Sequence, residues 1–116
     1  MLNKVCVLTV KVANLQEGVE FYTNVLDFEV SKYYGEKLVS LVHHEVPIVL
    51  EEVENVQTGN NVLMGILSKD IEQDFNNMKS KGVKVLSDEP MPCPPGRYFI
   101  IEDSSGNQIE IVEFSN

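Results

Sequence analysis

Asn14-Leu15-Gln16-Glu17-Gly18-Val19-Glu20-Phe21-Tyr22 returns fifty-six positions later as Asp70-Ile71-Glu72-Gln73-Asp74-Phe75-Asn76-Asn77-Met78, and this echo decides the fold. In each copy Asn or Asp stands three residues ahead of Glu or Gln, the pattern by which a helix start satisfies its unpaired amides. Leu15, Val19 and Tyr22, and again Ile71, Phe75 and Met78, then fall on one face of a helix. An apolar, strand-like run precedes each copy. Two matching strand-to-helix junctions imply a duplicated module.

Outward from the repeat, residues 4–12 alternate and are rich in Val, which predicts a strand buried on at least one face. The spacing predicts a helix over 15–26 and strands over 28–34, 37–43 and 48–52, the first two joined by a tight turn at Gly35-Glu36. Gln57-Thr58-Gly59-Asn60-Asn61 is a polar break between the halves. The order then repeats, with a strand over 62–68, a helix over 71–81 capped by Gly82, and a short strand over 83–86. Four prolines make 88–96 extended and stiff. Residues 97–102 and 108–114 form a final hairpin across the turn at 103–107. Each half reads as β-α-β-β-β, or nearly so.

A chain of 116 residues suits one domain with a modest core, here residues 1–116 in two units of about 1–56 and 61–116. Eighteen Asp and Glu against nine Lys and Arg give a formal charge of −9. That disfavours nucleic acid and anionic membranes as partners, because phosphate contacts need clustered Lys and Arg. The acidity fits either a solubilising surface or attraction of a cationic ligand. No apolar run approaches the roughly 18–20 residues of a membrane span. Met1-Leu2-Asn3-Lys4 does not open a basic-then-apolar leader, so a cytoplasmic protein is expected. Cys6 and Cys93 have neither disulfide-framework nor zinc-knuckle spacing.

Phe21-Tyr22-x-x-Val25-Leu26-x-Phe28-Glu29-Val30 resembles the "FYxxvLGFev" segment of the vicinal oxygen chelate superfamily. That superfamily holds glyoxalase I, extradiol dioxygenases, fosfomycin-modifying thiol transferases and bleomycin resistance proteins. Asp103-Ser104-Ser105-Gly106-Asn107-Gln108-Ile109-Glu110-Ile111 resembles its "DPdGNxiEl". Asp27 stands where the family usually has Gly, and Ser104 where it has Pro. The resemblance implies an α+β fold of two tandem βαβββ units forming a half-open mixed-sheet cup with the helices outside. Metal-using members place one ligand on the first and last strand of each unit, facing into the cup. Carried over by position, those places are Val7, Val49, Leu63 and Glu110. Hydrocarbon side chains cannot replace an ion's lost hydration, and one carboxylate holds a divalent metal weakly. No metal or other cofactor is therefore expected.

Glu110 is the leading site residue, as an anionic anchor for a ligand or a general base; otherwise it is a relic carboxylate at the open mouth. Glu51 shares strand parity with Val49 and could join Glu110 in a two-carboxylate floor, or belong with Glu52 and Glu54 to a solvated strand end. Val5, Val7, Thr9, Leu63, Gly65 and Leu67 share the cup-facing parity. They either offer an apolar pocket to a small organic ligand, or fill it themselves, or meet a partner chain. One ring of Tyr33 and Tyr34 should face inward, as a ligand wall or as plain packing. His43 is the candidate proton-transfer imidazole, with His44 facing the other side. Cys93 lacks a neighbouring base that would make it a nucleophile. Arg97 could hold a ligand carboxylate or pair with Glu102.

Three functional expectations follow. The first is a metal-free small-molecule-binding protein of the drug-resistance type, sequestering or sensing its ligand and paired as a homodimer, as the resemblance to bleomycin resistance proteins implies. The second is a lyase, isomerase or transferase related to glyoxalase I, using Glu110 as metal ligand or base. The third is an interaction partner with a filled cup.

Overall fold

The computed structural model describes residues 2–57, 61–103 and 107–115. The chain is α+β and divides into two compact units, Cys6–Leu63 on the one hand and Met64–Asn116 with Met1–Val5 on the other. The turn serines and Gly106, and residues 58–60 of the polar break, lie outside the described residues.

The unit Cys6–Leu63 takes most of β1 (Val5–Val12), then α1 (Leu15–Glu20), β2 (Val30–Tyr33), β3 (Leu38–Leu41) and β4 (Ile48–Glu52). Its strands lie in the order β2-β3-β4-β1, antiparallel except for the parallel β4–β1 pair. The core is Leu15 of α1 against Val39, Leu41 and Leu50, with Val10, Val12, Val19 and Phe28 packed around it. Register explains the cluster: Val10 pairs with Leu50 and Leu50 with Val39, so one face of three strands meets the helix.

Asn14 caps α1 as its spacing predicts, its side chain accepting from the Glu17 N–H at 2.9 Å. The helix does not continue as a regular α-helix to residue 26. Residues Phe21–Val25 widen into a π-helical stretch. The Thr23 hydroxyl donates to the Val19 carbonyl at 2.7 Å, a bond that competes with the backbone ladder. Asp27 then takes a left-handed conformation, φ +62°, and turns the chain toward β2.

The other unit contains most of β5 (Val62–Leu67), α2 (Ile71–Ser80), β6 (Lys84–Val85), β7 (Met91–Cys93), β8 (Gly96–Glu102) and β9 (Gln108–Phe114). β5 and β9 run parallel, and β8 and β9 form the long final hairpin. Ile71 and Phe75 of α2 pack on Ile66, Phe99 and Ile111, with the Phe75 and Phe99 rings edge-to-face at 5.2 Å. Asp70 caps α2 by accepting from the Gln73 N–H at 3.1 Å, and Gly82 ends it at φ +78°. The proline segment departs from a plain loop. Its residues Met91–Cys93 form β7 on the free edge of β8, where β6 pairs further along. Gly96 is required there, since a β-carbon would run into the Glu113 carbonyl.

A second cap serves each helix. The Glu52 carboxylate accepts from the Leu15 N–H at 2.8 Å, and the Glu113 carboxylate from the Ile71 N–H at 3.1 Å. In both units an acid at the end of the last strand satisfies the first amide of the helix.

Candidate functional site

Because Phe99, Ile101, Ile109 and Ile111 pack toward α2, strand alternation turns Tyr98, Ile100, Glu110 and Val112 to the opposite face. Glu110 pairs in register with Gly65 on one side and Ile100 on the other. Glu110 is half-buried, and its partner Gly65 is buried. β7 brings Cys93 to the same neighbourhood. Burial, reinforced by the Glu110 charge, pushes the Cys93 thiol up to about 11. At neutral pH Cys93 is therefore a protonated lining group and not a thiolate nucleophile.

In the unit Cys6–Leu63 the equivalent face carries Val7 and Thr9 of β1, both buried, with Val49 and Glu51 of β4. Thr9 pairs with Val49 and Lys11 with Glu51. The duplication now becomes a register statement. Thr9 corresponds to Gly65, and their partners Val49 and Glu110 correspond to each other. Glu52 and Glu113, three residues further along each strand, correspond in the same way and cap equivalent helices. By register, Val49 thus occupies in its unit the place that Glu110 occupies in the other. Leu63 shares a face of β5 with Gly65 by alternation.

Arg97 is directed elsewhere. It pairs across β8–β9 with Glu113, on the α2 side, and its guanidinium donates to the Glu72 carboxylate of that helix. Glu102 pairs instead with Lys84, at 3.3 Å. Tyr33 lies opposite Val39 and is 53 % exposed, whereas Tyr34 is half-buried with the Lys32 ammonium 5.0 Å from its ring centre. Val5 packs on the α2 core and does not share the environment of Val7. His43 and His44 follow the end of β3, so strand alternation does not separate them: their rings meet edge-on at 5.8 Å.

The donor chemistry does not fit a metal. Val7, Val49 and Leu63, which the resemblance sets at three of its four ion positions, carry no donor atom. Among the described residues no group of three His, Cys, Asp or Glu side chains could hold an ion. A half-buried carboxylate beside a protonated thiol recognises an organic group better than it replaces a hydration shell.

The family model for the Glyoxalase/Bleomycin resistance protein/Dioxygenase superfamily matches residues 5–111. The chain belongs to that superfamily. Solved structures agree on the fold. Methylmalonyl-CoA epimerase from Mycobacterium tuberculosis is 16% identical, covers 99% of this chain and 90% of its own, and superposes with a TM-score of 0.80. The Streptomyces coelicolor methylmalonyl-CoA epimerase in complex with 2-nitronate-propionyl-CoA is 21% identical with 100% of both chains covered and a TM-score of 0.81. A superfamily member from Vibrio splendidus 12B01 is 19% identical, covering 97% of this chain and 99% of its own, with a TM-score of 0.69. No curated protein matches the chain. Within this superfamily member the "DPdGNxiEl"-like turn closes through Asp103, whose carboxylate accepts from the backbone and side-chain amides of Asn107 at 2.9 and 3.0 Å.

The two helix-capping acids are the functional-looking carboxylates that a local reading misses. A signal existed: Val49/Glu110 and Glu52/Glu113 share an offset of 61 residues, distinct from the fifty-six of the helix echo. No such internal signal marks β7, which places Cys93.

Proposed function

We propose that this protein is a metal-free small-molecule-binding member of the superfamily, acting in the cytoplasm as a homodimer that sequesters or senses a small organic ligand. The observation that carries this reading is the pair of equivalent registers, Thr9 with Val49 and Gly65 with Glu110. At the duplicated position one unit keeps a carboxylate and the other a hydrocarbon. One anionic anchor on a mainly apolar face suits an organic ligand, and the acidic balance of the chain favours a cationic one. A thermal-shift screen with cationic antibiotics and small aromatics tests it. A ligand at a hundredfold excess over its Kd should add about 2.7 kcal/mol of stability, and Glu110→Gln should remove most of that gain. Silence across a broad library, or sedimentation of the 13.1 kDa chain as a monomer at micromolar concentration, would count against the reading.

Base chemistry at Glu110 is the second reading, favoured by its half-buried place on β9 and by the protonated Cys93 nearby. The epimerases of similar fold suggest the assay. Methylmalonyl-CoA, or an α-hydroxy or α-keto acid, is incubated in heavy water and its α-proton followed. Exchange that is lost in Glu110→Gln supports catalysis by this carboxylate. Absence of exchange with intact binding leaves the sequestering function alone.

A further inference from the structure

A pocket lies in the unit Cys6–Leu63. Leu26, Asp27, Phe28, Glu29, Val42 and the His43–His44 pair line an open cavity of about 370 Å³, within the size range of small-molecule sites. Its walls are braced. The Phe28 N–H donates to the Tyr22 carbonyl at 2.9 Å and the Val42 N–H to the Glu29 carbonyl at 2.8 Å. His43 Nδ1–H donates to the Val46 carbonyl at 2.9 Å, and the ring stacks on Phe28 at 6.2 Å with 27° between planes. The apolar part of the lining faces water: Leu26 is 49 % and Val42 52 % exposed, so an occupant would bury hydrocarbon that folding leaves wet. The charged part is negative, from Asp27 and Glu29.

We propose that this pocket binds a flat organic cation, its ring laid along the Phe28–His43 stack and its charge toward Asp27 and Glu29. Two imidazoles and two carboxylates are also transition-metal donors, but among the described residues they do not converge into a group able to hold an ion. Their spread matches a delocalised cation, which spans several ångströms and stacks on aromatic faces. The proposal is independent of the ligand reading at Glu110.

Benzamidine is a suitable probe, with benzamide as its uncharged counterpart and Zn²⁺ as the metal arm. Titration of the 15N-labelled full chain should shift the backbone amides of residues 26–29 and 42–44, saturably and at millimolar concentration or below. Benzamide should bind at least tenfold more weakly. The double variant Asp27→Asn/Glu29→Gln should lose at least tenfold in benzamidine affinity, while Glu110→Gln should change nothing. Val42→Lys, at an exposed position, places a positive charge on the wall and should abolish the shifts in a chain whose spectrum remains that of the fold. Equal affinity for benzamide, no shifts at residues 26–29 and 42–44, or Zn²⁺ binding these residues more tightly than benzamidine would each overturn the proposal.

Discussion

Asp27 occupies backbone that L-residues resist. At φ +62° its β-carbon crowds the following carbonyl, a cost of about 1–2 kcal/mol that a short acidic side chain only partly relieves. The superfamily pattern has Gly at this place for that reason. Asp27→Gly should therefore raise unfolding stability in urea by about 0.5–1 kcal/mol, the relief being partly offset by the greater freedom of Gly in the unfolded chain. The same substitution removes one carboxylate from the His43–His44 pocket, so stability and benzamidine affinity should move in opposite directions. Cys93 gives a residue-scale prediction at high pH. Its thiol is pushed from 9.0 to about 11 in the folded chain. An acid whose folded pKa is raised supports the fold below its unfolded pKa and loses that support as pH rises. Between pH 9 and 11 the wild-type protein should lose stability more steeply than Cys93→Ala, measured as urea midpoints at each pH. Parallel slopes would show that the thiol does not sense its burial or Glu110.

At the scale of elements, each helix is held by a local cap and by a carboxylate from a distant strand. The Leu15 amide, then the Lys37 ammonium at 3.1 Å, hold the Glu52 carboxyl below its ordinary 4.5. A lowered carboxyl contributes stability above its unfolded pKa and loses it as pH falls through the folded one. Acid unfolding below about pH 4.5 should accordingly be less steep in Glu52→Gln than in wild type, with circular dichroism reporting the loss of helix. What the sequence reveals of the elements follows the range of the interactions that make them. Asn14 and Asp70 were legible because their partners lie three residues away, and β4 and β9 because alternation and flanking turns bound them. The capping carboxylates were not, since Glu52 is 37 residues from Leu15 and Glu113 is 42 from Ile71. β7 hid because Pro92 cannot donate to a ladder, and the strand exists through the edge that β8 offers. For the site, Glu110 could be placed by motif and parity. The engagement of Arg97 by Glu72, twenty-five residues away on the flank of α2, could not. The His43–His44 pocket depends on where β3 stops, and strand ends are poorly marked by pattern alone.

At the scale of the molecule, duplication supplied two equal frames and divergence assigned them different surfaces. One sets Thr9 beside Val49 across its parallel pair, while the other sets Gly65 beside Glu110. Both frames sit in a chain with eighteen acids and nine bases. The ion pairs among the described residues, Lys37–Glu52, Lys84–Glu102 and Arg97–Glu72, are partly exposed, and such pairs contribute little each. Repulsion among the excess carboxylates acts over longer distances and opposes compaction. Salt screens both, but it relieves many repulsions for every attraction it weakens. Raising NaCl from 10 mM to 200 mM shortens the screening length from about 30 Å to under 10 Å. The melting temperature at pH 7.5 should rise by a few degrees over that range, and the rise should shrink as the pH is lowered toward the sequence pI of 4.5, where the excess charge disappears. A melting temperature that falls with salt would mean that the three pairs outweigh the net charge, and that acidity is not the pressure shaping this surface.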